Sequence, residues 1–251
     1  MQIKPTFKNI VQTGAKIFLS SVSVDCVIFG FYGNELKVLL LQMKHADLHG
    51  LPGGFIFREE TADAAAVRIL KERTGLDAIF LKQFYTFTDP RRSDKKFHLN
   101  AIKKEGLATD KDNWLLQRFV SIGYYALVDF SKVLPAADEL SVSCAWHQLY
   151  PAPVLMMDHN NILNKALLAL QQQLNNQPVG FNLLPLKFTM PELQKLYETI
   201  LNKTLDRRNF QRKILGFGIL KKGVAHKAPF LYSFDVINYN TALMNGLGGG
   251  W

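Results

Sequence analysis

The chain has 251 residues, 48% of them hydrophobic, and its 30 Lys/Arg against 21 Asp/Glu give a formal charge of +9. That length can bury one large core or two small ones, yet no apolar run reaches the roughly 18 residues of a membrane span, and Lys4, Lys8 and Lys16 break up any signal-peptide segment. Two cysteines, Cys26 and Cys144, suffice for neither a disulfide framework nor a metal knuckle, so a cytoplasmic protein with reduced core thiols is expected.

The positive charge is unevenly placed. Residues 180–235 hold 10 Lys/Arg against 4 Asp/Glu, residues 89–118 hold 8 against 5, and the remainder balances at 12 against 12. An excess confined to two segments points to a polyanionic partner, whereas a general excess would mark only a solvated surface.

Met1 to Ser20 has no strong periodicity and reads as an N-terminal arm. The apolar runs Val22–Tyr32 and Glu35–Met43 flank Gly33-Asn34 and predict a β-hairpin. His49-Gly50-Leu51-Pro52-Gly53-Gly54 follows as a loop. A helix is then predicted from Thr61 to Arg73 with Gly75 as its C-terminal cap, and Ala66, Val67 and Leu70 lie on the face expected to pack on the sheet. Positions 69, 72 and 73 share a different face at i, i+3, i+4 spacing.

The stretch Gly54 to Leu76, GFIFREETADAAAVRILKERTGL, resembles a Nudix box, a loop–helix–loop that holds pyrophosphate and Mg2+. Gly54, Glu60, Arg68, Leu70, Glu72, Gly75 and Leu76 match its frame, but Ile69 and Arg73 stand where the motif has its first and last tail glutamates. Mg2+ takes oxygen ligands, and Ile69 offers none. Two unit charges about 4 Å apart interact by roughly 4 kcal/mol at an effective dielectric near 20, so Arg73 opposes a divalent cation by at least that order. The resemblance also gives Glu60 and Arg68 a structural role as a pair bracing loop against helix. The shape is retained without the hydrolytic ligands, so neither enzyme activity nor a bound metal or cofactor is expected.

Phe80–Thr88 predicts a further strand, running into Thr86-Phe87-Thr88-Asp89-Pro90-Arg91-Arg92. In the basic stretch from Asp94 to Arg118, Lys95, Lys96, Lys103, Lys104 and Lys111 could bind phosphates, and a solvated loop is the simpler account. Phe119–Val128 returns as a strand, and Trp146 is expected in the last strand and the core. Asp158 is placed to cap a helix with Ile162, Leu163, Ala166, Leu167, Leu170 and Leu174 on its apolar side. Asn175-Asn176-Gln177-Pro178 ends that helix and marks a domain boundary, giving domains 1–178 and 179–251.

Local signals are sharpest in the second domain. Thr189-Met190-Pro191-Glu192 is a capping box with Pro in the first turn, and Phe188 and Leu193 occupy the positions of a hydrophobic staple. Leu193, Leu196, Tyr197, Ile200 and Leu201 then form one apolar face. After the turn Asn202–Leu205 comes a second helix, DRRNFQRKIL, in a helix-turn-helix spacing. Phe210 and Ile214 must face the core, so Arg208 and Arg212 point away, with Gln211 beside them and Arg207 and Lys213 at the flanks. Arginine pairs bidentately with guanine and glutamine with adenine, so this face suits a DNA major groove; alone it could equally be a solvated cationic surface. Two strands joined by a basic loop follow, with Lys221, Lys222, His226 and Lys227 in the loop region and Phe230, Tyr232 and Phe234 alternating in the second strand, which completes a winged helix. The glycine-rich tail Gly246–Trp251 is expected to be mobile.

A degenerate Nudix box followed by LPLKFTMPELQKLYETIL and LDRRNFQRKI resembles the Nudix-related transcriptional regulators of the NrtR type. YTFTDPRR, SIGYYALVD and MDHNNIL extend the likeness over nearly the whole chain, and only the stretch from Lys96 to Arg118 is longer than that pattern. The resemblance implies an α+β protein: a Nudix-like α/β/α sandwich with a mixed sheet, then a C-terminal winged helix. It implies a homodimeric repressor that reads a palindromic operator in double-stranded DNA and responds to a small molecule, either an ADP-ribose-like nucleotide or a sugar. The DNA-binding candidates are Lys203, Thr204, Arg207, Arg208, Asn209, Gln211, Arg212, Lys213, Lys221, Lys222, His226 and Lys227. The effector candidates are Phe57, Glu60, Ile69, Glu72, Arg73, Asp89, Arg91 and Arg92. A Nudix pyrophosphatase using Glu72 with carboxylates outside the box is the alternative, and an adaptor binding RNA or an acidic protein is a third reading. The histidines, His45, His49, His98, His147, His159 and His226, show no regular metal-ligand spacing.

Overall fold

A computed structural model describes residues 5–77, 80–223 and 230–247. β1 (Phe18–Tyr32) and β2 (Glu35–Met43) form the predicted hairpin. Its turn residues Gly33 and Asn34 have φ of 60° and 61°, the left-handed pair that a two-residue turn between twisted strands requires. β1 is buried without a break from Val24 to Gly30, so its continuous apolar run marks a strand covered on both faces.

β3 (His49–Gly50), β4 (Gly53–Phe57), β5 (Phe80–Phe87), β6 (Val120–Val128) and β7 (Ser141–Gln148) complete a seven-stranded sheet. Its order is β3-β2-β1-β6-β5, with β4 antiparallel to β1 and β7 on β2. Trp146 is half-buried and not the core residue expected of it, because β7 joins the sheet off its main path, and Val142 and Ala145 on it are exposed.

Residues 7–17, read as part of an arm, form the helix α1 (Phe7–Ile17). Thr6 and Asn9 make its capping box, with Asn where Glu or Gln is usual, and that departure hides the start signal. Phe7 and Val11 pack on Ala101, Ile102, Leu115 and Leu116. Trp114 donates from Nε1 to the Ile10 carbonyl at 2.7 Å, and Asn113 donates from Nδ2 to the Val11 carbonyl at 3.0 Å.

The basic stretch is correspondingly not a solvated loop. It folds as the helix α3 (Lys95–Lys104), capped by Asp94, and a 3-10 turn at Trp114–Leu116, and together with α1 it builds a small core of its own. Its lysines remain in water: Lys95, Lys96, Lys103, Lys104 and Lys111 are all exposed.

The helix α2 (Ala62–Thr74) starts at Thr61, whose Oγ1 accepts from the Ala64 amide at 3.1 Å, and ends at Gly75 in the left-handed region. Its buried face runs through Ala65, Ala66, Ile69, Leu70 and Arg73, while Val67, expected against the sheet, is 48% exposed. The seam is rotated because glycine lies beneath it. A Cβ on Gly54 would come within 3.2 Å of Ile69 Cδ1, so the bare backbone of β4 lets position 69 sink where Val67 was expected. The helix α4 (His159–Asn176) buries Ile162, Leu163, Ala166, Leu170 and Leu174 as its pattern predicts, with Leu167 only half-buried.

Contacts divide the chain into two units: residues 1–28, 38–126 and 133–166, and residues 29–37, 127–132 and 167–251. In the second, the helix α5 (Met190–Leu201) carries the expected capping box: the Thr189 amide donates to Glu192 Oε2 at 2.6 Å, and the Glu192 amide donates to Thr189 Oγ1 at 3.4 Å. The staple pair Phe188 and Leu193 is fully buried. Thr189→Ala is expected to cost about 1 kcal/mol of stability, read as a lower midpoint in urea unfolding. The helix α6 (Arg207–Gly216) is capped by Asp206, which accepts from the Asn209 amide at 2.9 Å, and buries only Phe210 and Ile214.

β8 (Phe188–Thr189), β9 (Leu220–Lys222) and β10 (Leu231–Phe234) form a three-stranded sheet in the order β8-β10-β9. Of the three aromatics expected to alternate along the second strand, Tyr232 is buried and Phe234 half-buried, whereas Phe230 precedes the strand and is 40% exposed. A final helix, α7 (Val236–Asn245), has no counterpart in the sequence reading. It buries Tyr239 alone and exposes Val236, Ile237 and Met244, so it shows no apolar periodicity. His226 and Lys227 of the wing, and the last four residues of the glycine-rich tail, lie outside the described residues.

Candidate functional site

The glutamate–arginine brace forms as expected. Arg68 donates from Nε and Nη2 to the two Glu60 carboxylate oxygens, each at 2.8 Å, and from Nη2 to the Phe55 carbonyl at 2.9 Å. Glu60 Oε2 also accepts from the Phe57 amide at 3.1 Å, and the guanidinium lies 4.5 Å from the centre of the Phe57 ring. The carboxylate and guanidinium thus tie the end of β4 to the middle of α2.

Arg73 is only 3% exposed. It donates from Nη1 to the carbonyls of Ala137 at 2.8 Å and Ala136 at 3.3 Å, and from Nη2 to Glu72 Oε2 at 3.3 Å, with Asp138 Oδ2 at 3.9 Å. On its other side Glu72 Oε1 lies 3.6 Å from Arg68 Nη1. The one tail glutamate that remains is therefore held between two guanidinium groups. A divalent cation does not fit this donor set: it would meet a permanent positive charge where a ligand is needed and would have to displace a second one.

Two cavities, each of about 140 Å³, adjoin at this place. The first is walled by Phe18, Phe55, Phe57 and Ile69, with Glu72 and Arg73 at its rim. The second shares Gly53, Gly54, Phe55, Asp138 and Leu140 with it and reaches to Asp25, Arg92 and His159. Arg92 is buried there and makes a bidentate pair with Asp158, from Nε at 3.0 Å and from Nη2 at 3.2 Å. It also donates from Nη2 to Asp25 Oδ2 at 3.2 Å and from Nη1 to the Phe119 carbonyl at 3.2 Å. The Asp158 carboxylate, expected to cap α4, is thus directed to Arg92, because pairing a buried guanidinium outweighs a helix cap. His98 also lines this cavity, and burial pushes its imidazole down to about 4 against the opposing pull of Asp94.

Of the effector candidates, Phe57, Ile69, Glu72, Arg73 and Arg92 line the two cavities, whereas Glu60 belongs to the brace. Asp89 and Arg91 line neither; they pair with each other at the surface at 2.9 Å, which holds the Asp89 carboxyl down to about 2. Asp25, Asp138 and His159 were not among the candidates. The available signal was Asp25, a single carboxylate inside the apolar run Val22–Tyr32.

The nucleic-acid candidates sit on one exposed helix and its flanks. Lys203 and Thr204 follow the left-handed cap Asn202 and are exposed. On α6, Arg207, Arg208, Asn209 and Arg212 are exposed and Gln211 and Lys213 half-buried, as the wheel predicts once Phe210 and Ile214 face inward. Arg212 donates from Nη2 to Asn209 Oδ1 at 2.9 Å, while Arg207 and Arg208 meet no acceptor among the described residues. On the wing, Lys221 pairs with Asp235 at 3.1 Å and Lys222 lies 3.7 Å from the centre of the Phe230 ring. No helix among the described residues is long and apolar enough to cross a membrane.

Two family models match the chain. A NUDIX domain model matches residues 20–162, and a model of the NrtR DNA-binding winged helix domain matches residues 180–234. The ADPR responsive transcriptional repressor NtrR of Acinetobacter baylyi is 28% identical over 231 residues, covering 87% of this chain and 84% of the relative. The crystal structure of Shewanella oneidensis NrtR aligns over 92% of this chain and 99% of that one, with a TM-score of 0.70 at 24% identity. A MutT/nudix family protein from Enterococcus faecalis aligns over 93% and 100%, with a TM-score of 0.64 at 20% identity. At those identities the two structures speak to the fold.

Proposed function

We propose that this chain, which belongs to the NUDIX domain family and carries an NrtR-type winged helix behind that domain, is a ligand-responsive transcriptional repressor that does not hydrolyse the molecule it senses. The observation that carries this reading is the clamp on Glu72, held by Arg68 and Arg73 in the place where a hydrolase of this family would gather its metal. The fold of the hydrolase is kept, and its cation site is filled by protein charge.

In this reading residues 1–178 sense a small molecule and residues 179–251 bind DNA. Two copies associate so that their α6 helices address the halves of a palindromic operator in the cytoplasm. Bases are read by Arg208, Gln211 and Arg212, and phosphates are met by Lys203, Arg207, Lys213, Lys221, Lys222 and Lys227. The Acinetobacter baylyi relative, described as ADPR responsive, makes ADP-ribose the first candidate effector. A sugar is the second, since the charges of the clamp already neutralise one another and offer little to a diphosphate.

Gel-shift titration against DNA upstream of the protein's own gene tests this directly. A palindromic fragment should bind at nanomolar concentrations, and ADP-ribose or a pentose should change that binding. Incubation with ADP-ribose and Mg2+ or Mn2+ should release no product. Turnover that disappears in Glu72→Gln would establish the pyrophosphatase instead.

A further inference from the structure

The floor of the second cavity sets a hydrogen-bond donor beside an acceptor. Asp25 stands on β1 and His159 opens α4, and they are 7% and 6% exposed. The Leu51 amide donates to His159 Nδ1 at 2.9 Å, which leaves the ring proton on Nε2. Burial lowers the affinity of this imidazole for a second proton, so it remains a neutral donor near pH 7. Its Nε2 lies 3.8 Å from Asp25 Oδ1, beyond hydrogen-bond reach.

The other oxygen of Asp25 is engaged. Oδ2 accepts from Ser121 Oγ at 2.5 Å and from Arg92 Nη2 at 3.2 Å. Oδ1 and Nε2 thus line the cavity without a hydrogen-bond partner among the described residues. Both atoms are open to the cavity, so a molecule held there can pair with them. The guanidinium nearby offers little to an anion, since Arg92 donates to Asp158, Asp25 and the Phe119 carbonyl and its single charge already faces two carboxylates. The walls, with Leu41, Met43, Met156 and Phe119, are apolar.

We infer that this cavity binds an uncharged ring of the effector that presents a hydroxyl, or an adjacent donor and acceptor, to Asp25 Oδ1 and His159 Nε2, and that it excludes phosphate. A single hydroxyl can accept from Nε2 and donate to Oδ1, and so can the edge of a purine or a carboxamide. The inference rests on the preceding reading in one respect, that this domain holds a small molecule.

Isothermal titration of the full-length protein with adenosine, D-ribose and inorganic pyrophosphate, without added metal, tests it. Adenosine or D-ribose should bind, pyrophosphate should not compete with either, and His159→Leu should weaken the bound probe about 5- to 150-fold. His159→Gln, which keeps a donor and an acceptor, should recover part of that loss. In case the variants fold poorly, the wild-type protein labelled with 15N in histidine provides a second reading: the His159 Nε2–H resonance should shift with adenosine or D-ribose and stay in place with pyrophosphate. Competition by pyrophosphate, no binding of either uncharged probe, or unchanged affinity in folded His159→Leu overturns the inference. Wild-type operator binding is measured apart from these titrations, so a failure of the repressor reading is recognised separately.

Discussion

Arg73→Ala should destabilise the NUDIX domain by about 3–5 kcal/mol, the usual penalty for removing one partner from a buried ionic cluster. The guanidinium is 3% exposed, and its loss leaves the carbonyls of Ala136 and Ala137 without their donor and places Glu72 and Asp138 together without the charge between them. It also removes a tie of considerable sequence span, since Arg73 on α2 holds the segment that leads into β7. Urea unfolding measures the effect, with the expected loss appearing as a lower midpoint at unchanged slope. Arg73→Lys should fall between wild type and alanine, because an ammonium cannot donate to the carbonyls and the carboxylate in the same forked geometry. A loss below about 1 kcal/mol in Arg73→Ala, the scale of an exposed ion pair, would show that the clamp is not structural and would return Arg73 to the position of a free effector contact.

Arg212→Ala should cost about 1–3 kcal/mol on the operator and relax the base preference at one position, whereas Lys222→Ala should weaken binding to all DNA and lower the salt slope by about one. The difference follows from where the two charges stand. Arg212 projects from the outer face of α6 and is oriented by its hydrogen bond to Asn209, which favours a fixed approach to a base edge. Lys222 sits on the wing over the Phe230 ring, a point charge on a flexible stem that suits a phosphate. Titrations against operator and random duplexes at several salt concentrations separate the two effects. Equal losses on both DNAs for both variants would move base reading away from α6.

The DNA-facing half was the more legible part of this chain, because its signals are local. Thr189 and Glu192 are three residues apart, Phe210 and Ile214 are four apart, and the orientation of α6 follows from those two once they are placed inward. The same holds for the Gly33-Asn34 turn and for the Glu60–Arg68 brace, whose partners are eight residues apart within one motif. Tertiary structure decided what no neighbour in the chain could encode. α1 forms because Trp114 and Leu115, about a hundred residues away, provide the surface that its apolar face covers, and α7 is held through a single buried Tyr239. Val67 is exposed because glycine on β4 lets Ile69 take the inward position.

The NUDIX domain shows the same division most clearly. The sequence by itself determined that the metal ligands are missing and that a positive charge replaces one of them, since identity at positions 69 and 73 is enough for that. Only the fold decided that Arg73 is directed to carbonyls and carboxylates, that Asp158 pairs with Arg92 where a helix cap was expected, and that Asp25 and His159 stand side by side. Helix and turn propensities act over a few residues, whereas the cost of burying a charge is met by whatever partner packing brings within about 3 Å, however far along the chain it lies.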